Sequence, residues 1–149
     1  MGAIGRDEIA ALIPHAGAMI LLDEVLRWDA TSLVCRTGRH RDPANPLRRH
    51  GRLGVACAVE FAAQAMAAHG RLAGSVGERP RAGYLASLRE VACRGDRLDG
   101  IAGDLLIEVE RLIGEEGRVL YRFAVGAAGE VLVSGRAAVV LAADDAGAG

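Results

Sequence analysis

LGVACAVEFAAQAMAAHGR, residues 53–71, is the stretch that decides the fold. Alanine is its commonest residue, and most of the others are good helix formers. A helix of that length runs about 28 Å, enough to cross a small domain. Its apolar residues, from Val55 through Phe61 and Met66 to Ala68, go all the way round instead of keeping to one stripe, the pattern of a buried helix. One acid, Glu60, stands in the middle, with Gln64 one turn later on the same face. A carboxylate among hydrocarbon is costly unless it is paired, hydrated or protonated, so Glu60 asks for a reason.

Working outward, residues 4–12 (IGRDEIAAL) predict a short amphipathic helix ended by Pro14, within an N-terminal segment 1–13. The apolar run at residues 18–22 passes into alternation at residues 25–28, which predicts a strand. Asp29-Ala30 turns it into a second strand at residues 31–37. Residues 39–51 (RHRDPANPLRRHG) hold two prolines and no apolar period, so they form a long loop, often a functional feature. Beyond the helix, residues 74–81 are a Gly- and Pro-containing connector. Strands follow at residues 83–94, 104–113, 118–125 and 131–141, read as a four-strand meander. In the second of these Leu105, Ile107 and Val109 point inward; in the third Val119, Tyr121, Phe123 and Val125 share a face. Residues 115–117 are a turn, and residues 142–149 a loose acidic tail.

An antiparallel sheet with one face on one helix is an α+β layer arrangement. One sheet layer is too little cover for a helix that is apolar all round. The sheet must curl around it, or a second subunit must cover the rest, which predicts a dimer. The 149 residues fit one domain with a real core, and 51% apolar content excludes disorder for the bulk of it. A net charge of −1 and 3% aromatics argue against a nucleic-acid binder. Cys35, Cys57 and Cys93 are odd in number and widely spaced, and no apolar leader opens the chain, so a reduced, cytoplasmic setting is expected. Glu60, Gln64 and His69 interrupt the long helix, which argues against a membrane span.

Three motifs then carry a family resemblance. PHAGAMILLDEV (residues 14–25) is similar to the "PHR-PFLLVDRV" opening of bacterial 3-hydroxyacyl-acyl-carrier-protein dehydratases of the FabZ type. GVACAVEFAAQAM (residues 54–66) resembles their central helix "PGVLILEAMAQ", and GDLLIEVERL (residues 103–112) their "PGD-L-IEVEV" strand. The chain resembles more closely still the divergent dehydratases of aryl polyene pigment clusters, which share the "PH--PM" opening. The resemblance implies a hot-dog fold, an acyl-carrier-protein thioester as substrate, loss of water to a trans-2-enoyl thioester, no cofactor, and a homodimer or a hot-dog heterodimer.

It also assigns roles. Glu60 falls on the catalytic acid and Gln64 on the glutamine four residues later. Elimination needs a base for the C2 proton and an acid for the C3 hydroxyl, and apolar surroundings favour the protonated form of a carboxyl. Gly54, at the helix start, leaves room for the thioester, whose carbonyl gains negative charge that helix N–H groups stabilise. The FabZ-type base lies in a "GHFPG" loop; here PLRRHGRLG (residues 46–54) keeps His50 without the following Phe and Pro. His15, in the Pro-His opening, is the other candidate base. His40 and His69 are expected to be solvated or capping, His69 lying nine residues after Glu60 and so on the opposite side of the helix.

The bland alternatives are concrete. Glu60 can be ion-paired to an arginine of the loop or of a partner, and His15 can be a loop histidine bonded to backbone. Cys57 shares the face of Glu60 but reads as packing. Arg36, Arg39, Arg41, Arg48, Arg49 and Arg52 make the loop region basic, either a docking patch for an acidic carrier protein or plain solvated charge. No Cys or His pair has zinc-ligand spacing, and no Gly-rich phosphate loop is present. A hot-dog acyl thioesterase and a non-catalytic acyl-binding or partner subunit remain as alternative functions.

Overall fold

A computed structural model describes residues 3–74, 83–115 and 117–141. The tail from residue 142, Glu116 of the turn, and the connector apart from Gly74 lie outside the described residues. Strand β1 (Ile4–Gly5) runs directly into helix α1 (Arg6–Leu12). β2 (Glu24–Trp28) and β3 (Ser32–Thr37) precede the loop region, and helix α2 spans Ala58–Leu72 behind a 3-10 turn at Val55–Cys57. β4 (Gly83–Cys93), β5 (Leu105–Glu115), β6 (Arg118–Ala127) and β7 (Glu130–Leu141) complete one antiparallel sheet in the order β1-β2-β3-β5-β6-β7-β4.

The sheet's inward rows are as the alternation predicts. Leu105, Ile107 and Val109 of β5 and Tyr121, Phe123 and Val125 of β6 are buried, and α2 packs on β3, β5 and β6 through Phe61, Ala62, Ala65 and Ala68. The β2–β3 turn is an Asx turn: Asp29 Oδ1 accepts the N–H groups of Thr31 (2.9 Å) and Ser32 (2.8 Å). Those amides, together with the Ser32 and Thr31 hydroxyls, hold the Asp29 carboxyl down to about 2.

Three local expectations are corrected. Ile4 and Gly5 are not helical; they pair with Val25 and Glu24 at the sheet edge, where a β-branched residue is at home and glycine does not weaken a helix. Residues 18–22 are not a strand. Gly17–Met19 is a 3-10 turn, and the backbone beyond it bonds to side chains: Leu21 N–H to Gln64 Oε1 (2.9 Å), Leu21 C=O from the Thr37 hydroxyl (2.6 Å). The meander is β5-β6-β7 only, and β4 lies outside it, paired with β7 alone. The reason is the connection from β4 to β5, which crosses to the start of α2. There Val55 N–H donates to Asp96 C=O (3.0 Å), Leu98 N–H to Leu53 C=O (2.7 Å), and Gly54 and Arg97 face each other in a bridge.

Candidate active site

Helix α2 has two different sides. Toward the sheet it buries Phe61, Gln64, Ala65, Met66 and His69. Away from it lie Ala56 and Glu60, both exposed, half-buried Val59, Ala63 and Ala67, and exposed Gly70. The expectation of a helix buried all round is therefore corrected: a curled sheet covers one side, and a stripe of small apolar residues stays open around one acid. Glu60 is exposed in this chain, not sunk in hydrocarbon, and no ion pair or hydrogen bond engages its carboxylate among the described residues. The arginine pairing within the loop, weighed above, is absent there.

The helix start is held from outside. Leu53 is fully buried and gives its N–H to Asp99 Oδ1 (2.9 Å), while Arg97 is ion-paired to the same carboxylate. These contacts, the Arg97 guanidinium first, keep Asp99 well below the usual carboxylate range. Neither residue stood out in the sequence; DRLDG reads as an ordinary loop. Gly54, next in line, has open space where a Cβ would stand, with nothing within 4 Å. Its N–H is directed at the Cys57 sulfur, beside the first turn that carries Glu60.

Gln64 is an amide clamp. Fully buried, it accepts from Leu21 N–H and donates to Met19 C=O (2.6 Å), fixing the segment that carries His15 onto α2. His15 itself is half-buried, and its Nδ1 has no hydrogen-bond partner among the described residues. His50 is exposed, at the tip of a tight turn closed by Arg49 and Arg52, with a positive φ of 51°. The fold thus brings the Pro-His segment to the helix through Gln64 and tethers the His50 turn just ahead of the helix start. No hydrogen bond joins either imidazole to Glu60 among the described residues.

The other two histidines are corrected to core residues. His69 is fully buried, with Nε2 3.0 Å from Asp29 C=O and Nδ1 2.8 Å from the Tyr121 hydroxyl. A carbonyl only accepts, so Nε2 carries the proton and the tyrosine donates to Nδ1. The two rings meet edge-on at 5.6 Å. Burial pushes His69 below its ordinary value and Tyr121 up to about 12. His40, also fully buried, donates from Nε2 to Ile101 C=O (3.0 Å), and burial again lowers its affinity for a proton. Nine residues do put His69 opposite Glu60; since the acid faces out, the imidazole faces in. Cys57 is half-buried, and burial, with a smaller push from the Glu60 carboxylate, raises its thiol, as befits packing and not a nucleophile.

Beside α2 the inner face of the sheet continues uncovered. Leu85, Leu88 and Val91 of β4 are each about 40% exposed, and Leu88 lies in register with Ala137, and through it with Tyr121, on the helix side. The far edge of β4 has no strand beside it among the described residues. A concavity of about 670 Å³ lies on the opposite face of the sheet, lined by Arg27, Val34, Glu108 and the ion pairs Glu110–Arg122 (2.7 Å) and Glu90–Arg136 (3.4 Å). Four of its charges are taken up in those two pairs, and its lining includes neither Glu60 nor Gly54. No helix among the described residues is long and apolar enough to cross a membrane, and no cluster of three or more potential metal-ligating side chains occurs among them.

Known structures match this architecture. The dehydratase heterocomplex ApeI:P from Xenorhabdus doucetiae superposes with a TM-score of 0.79 at 24% identity, over 91% of both chains. Zebra fish thioesterase superfamily member 2 matches with a TM-score of 0.62 at 16% identity, over 92% of this chain and 95% of its own. A Pseudomonas aeruginosa thioesterase matches with a TM-score of 0.64 at 13% identity, over 93% and 96%. At these identities the likeness establishes the hot-dog fold, which the sequence resemblance implied. No curated protein matches the sequence significantly. The family model of the ApeP dehydratases covers residues 7–148, from α1 through the Pro-His segment and the Glu60 helix to the last strand, and this chain accordingly belongs to the ApeP-like dehydratase family.

Proposed function

We propose that this dehydratase takes a 3-hydroxyacyl thioester carried on an acyl carrier protein and releases the trans-2-enoyl thioester and water, as a step in fatty acid or polyene assembly. A reducing, cytoplasmic setting is part of this reading, and three free cysteines are compatible with it. One observation carries the assignment of the site: Glu60, a carboxylate with no partner among the described residues, on an apolar stripe that starts beside the uncovered backbone of Gly54.

The chemistry follows from those groups. The Gly54 N–H and the helix dipole stabilise negative charge on the thioester oxygen as the C2 proton leaves. A histidine, His15 or His50, takes that proton; Glu60 gives its proton to the C3 hydroxyl, the C–O bond breaks, and water departs. Transfer of the C2 proton from imidazolium back to the carboxylate restores both groups. The open side of α2 needs a cover before it can enclose an acyl chain. A second hot-dog subunit laid along β4 would cover Leu85, Leu88, Val91 and the open side of α2, and turn the trough between them into an acyl tunnel. That subunit is a second copy or a related chain, and the histidine that serves can come from either side of the interface.

The test is dehydration of a 3-hydroxyacyl-carrier thioester, followed by enoyl absorbance, with the chain alone and with a co-expressed hot-dog partner. Glu60→Gln should lower kcat by about 10²–10⁴-fold. His15→Ala and His50→Ala, assayed in parallel, identify the base by which of them matches that loss. Full activity in Glu60→Gln and in both histidine variants sinks the site. Release of free thiol in place of enoyl product points to thioester hydrolysis instead. Activity only with the partner, unaffected by Glu60→Gln, assigns this chain a supporting role.

A further inference from the structure

The six arginines around the loop are not equivalent. Arg36 is paired with Glu24 and Asp104, Arg39 with Asp23 and Asp42, and Arg41 with Asp104. Arg48 donates to the carbonyls of Gly51 and His40. Arg49 and Arg52 remain, both exposed, with no hydrogen bond or ion pair to their side chains among the described residues. They face each other. Arg49 N–H donates to Arg52 C=O (2.8 Å) and Arg52 N–H to Arg49 C=O (2.9 Å), around His50 and Gly51 with φ of 51° and 75°. Positive φ at both central residues makes this the tightest kind of hairpin, so the two arginines are directly opposed, with Cα atoms roughly 5.5 Å apart and side chains on one side.

Two like charges in that position destabilise the hairpin that holds them. Here no carboxylate of the described chain relieves them, and His50 adds a side chain in the left-handed region that glycine or asparagine would occupy more easily. Such a fork gains from an anion seated between its tines: each guanidinium offers two parallel donors to phosphate oxygens, and binding removes the repulsion. Its place is also fixed. Arg52 adjoins Leu53, which is anchored on Asp99, and stands two residues ahead of Gly54. Arg49 is near enough to Cys57, in the turn leading into α2, for its charge to act on that thiol.

We propose that Arg49 and Arg52 form a fork that binds the phosphate ester of the substrate's pantetheine arm at the mouth of the site. The proposal rests on the thioester reading above, and it separates the phosphate from the rest of the carrier: the same ester is present on phosphopantetheine, on coenzyme A and on a carrier protein.

Binding can be measured without turnover. In titration calorimetry with the full chain, 4′-phosphopantetheine should bind roughly tenfold tighter than pantetheine, a difference erased in Arg49→Gln/Arg52→Gln and weakened by added salt. Equal binding of the two probes by the wild-type chain, or an undiminished preference in the double variant, overturns the fork. In turnover, the double variant should raise KM about tenfold for 3-hydroxyacyl thioesters of coenzyme A and of carrier protein, and leave kcat and the pantetheine thioester unchanged. A loss confined to the carrier protein would mean contact with its acidic surface and would refute a phosphate site. Phosphopantetheine captured by the fork in a chain that dehydrates nothing would keep the fork and sink the dehydratase reading.

Discussion

The two sides of α2 reverse the usual rule for polar residues on a helix. The covered side holds Gln64 and His69, both fully buried and both hydrogen-bonded at each end of the side chain. The open side holds Glu60, exposed and without a partner among the described residues, in a stripe of alanines. Satisfied polar groups in a core tie segments together; here they pin the Pro-His segment and the β2–β3 turn to one helix. An unsatisfied acid among small apolar residues does nothing for the isolated fold. On the proposed reading, the contrast teaches that stability and chemistry sit on opposite sides of a single element, about half a helical turn apart.

Substitutions can break that contrast or sharpen it. The largest loss of stability is expected from Gln64→Leu, which keeps the volume but strands Leu21 N–H and Met19 C=O. At about 1–3 kcal/mol for each buried orphan, urea unfolding should show a deficit of about 2–6 kcal/mol. His69→Leu should cost less, about 2 kcal/mol, by stripping partners from the Tyr121 hydroxyl and Asp29 C=O. It should also change the response to acid. Burial holds His69 below the ordinary histidine value of about 6.5, so below that pH the unfolded chain takes up a proton that the folded one refuses. Wild-type stability therefore falls as pH drops from about 6.5 toward the lower folded value, by at most about 1.4 kcal/mol per pH unit from this group. The His69→Leu chain should lose that share of the slope; an unchanged slope would leave His40, depressed in the same direction, as its source. The smallest effect on stability is expected from Glu60→Gln, within about 0.5 kcal/mol in the isolated chain. A large destabilisation there would mean that the open side is structural after all.

Much of the fold was legible because strands announce themselves. Alternation at β5 and β6 is a period-2 signal carried by large side chains, and the buried rows follow it, with Val119 half-buried at the strand end. The order of β4 was not legible, since pairing with β7 depends on where the 94–104 connection goes, and that is decided by distant contacts at Leu53 and Val55. The Ala18–Leu22 run misled because its backbone is satisfied by Gln64 and Thr37, side chains that no local window contains. For the site, the types Glu60 and Gln64 were visible, their orientation was not. A helix built largely of alanine has a weak phase, because small residues fit on either side. The spacing of Glu60 and His69 was the one usable clue, and it told only that the two are opposed. Which of the loop arginines are free could be learned only from where their acids fold, since Asp23 and Asp104 arrive from far along the chain.

The seating of the helix start on the β4–β5 connection has one more consequence. β4 ends at Cys93, and Asp96 already receives Val55 N–H; Arg94 and the left-handed Gly95 are all the backbone between them. A neighbour zipped along the free margin of the sheet is thus separated by two links of chain from the cradle beneath Gly54. Strain placed on that margin has only this short lever to travel before it reaches the seat of the helix.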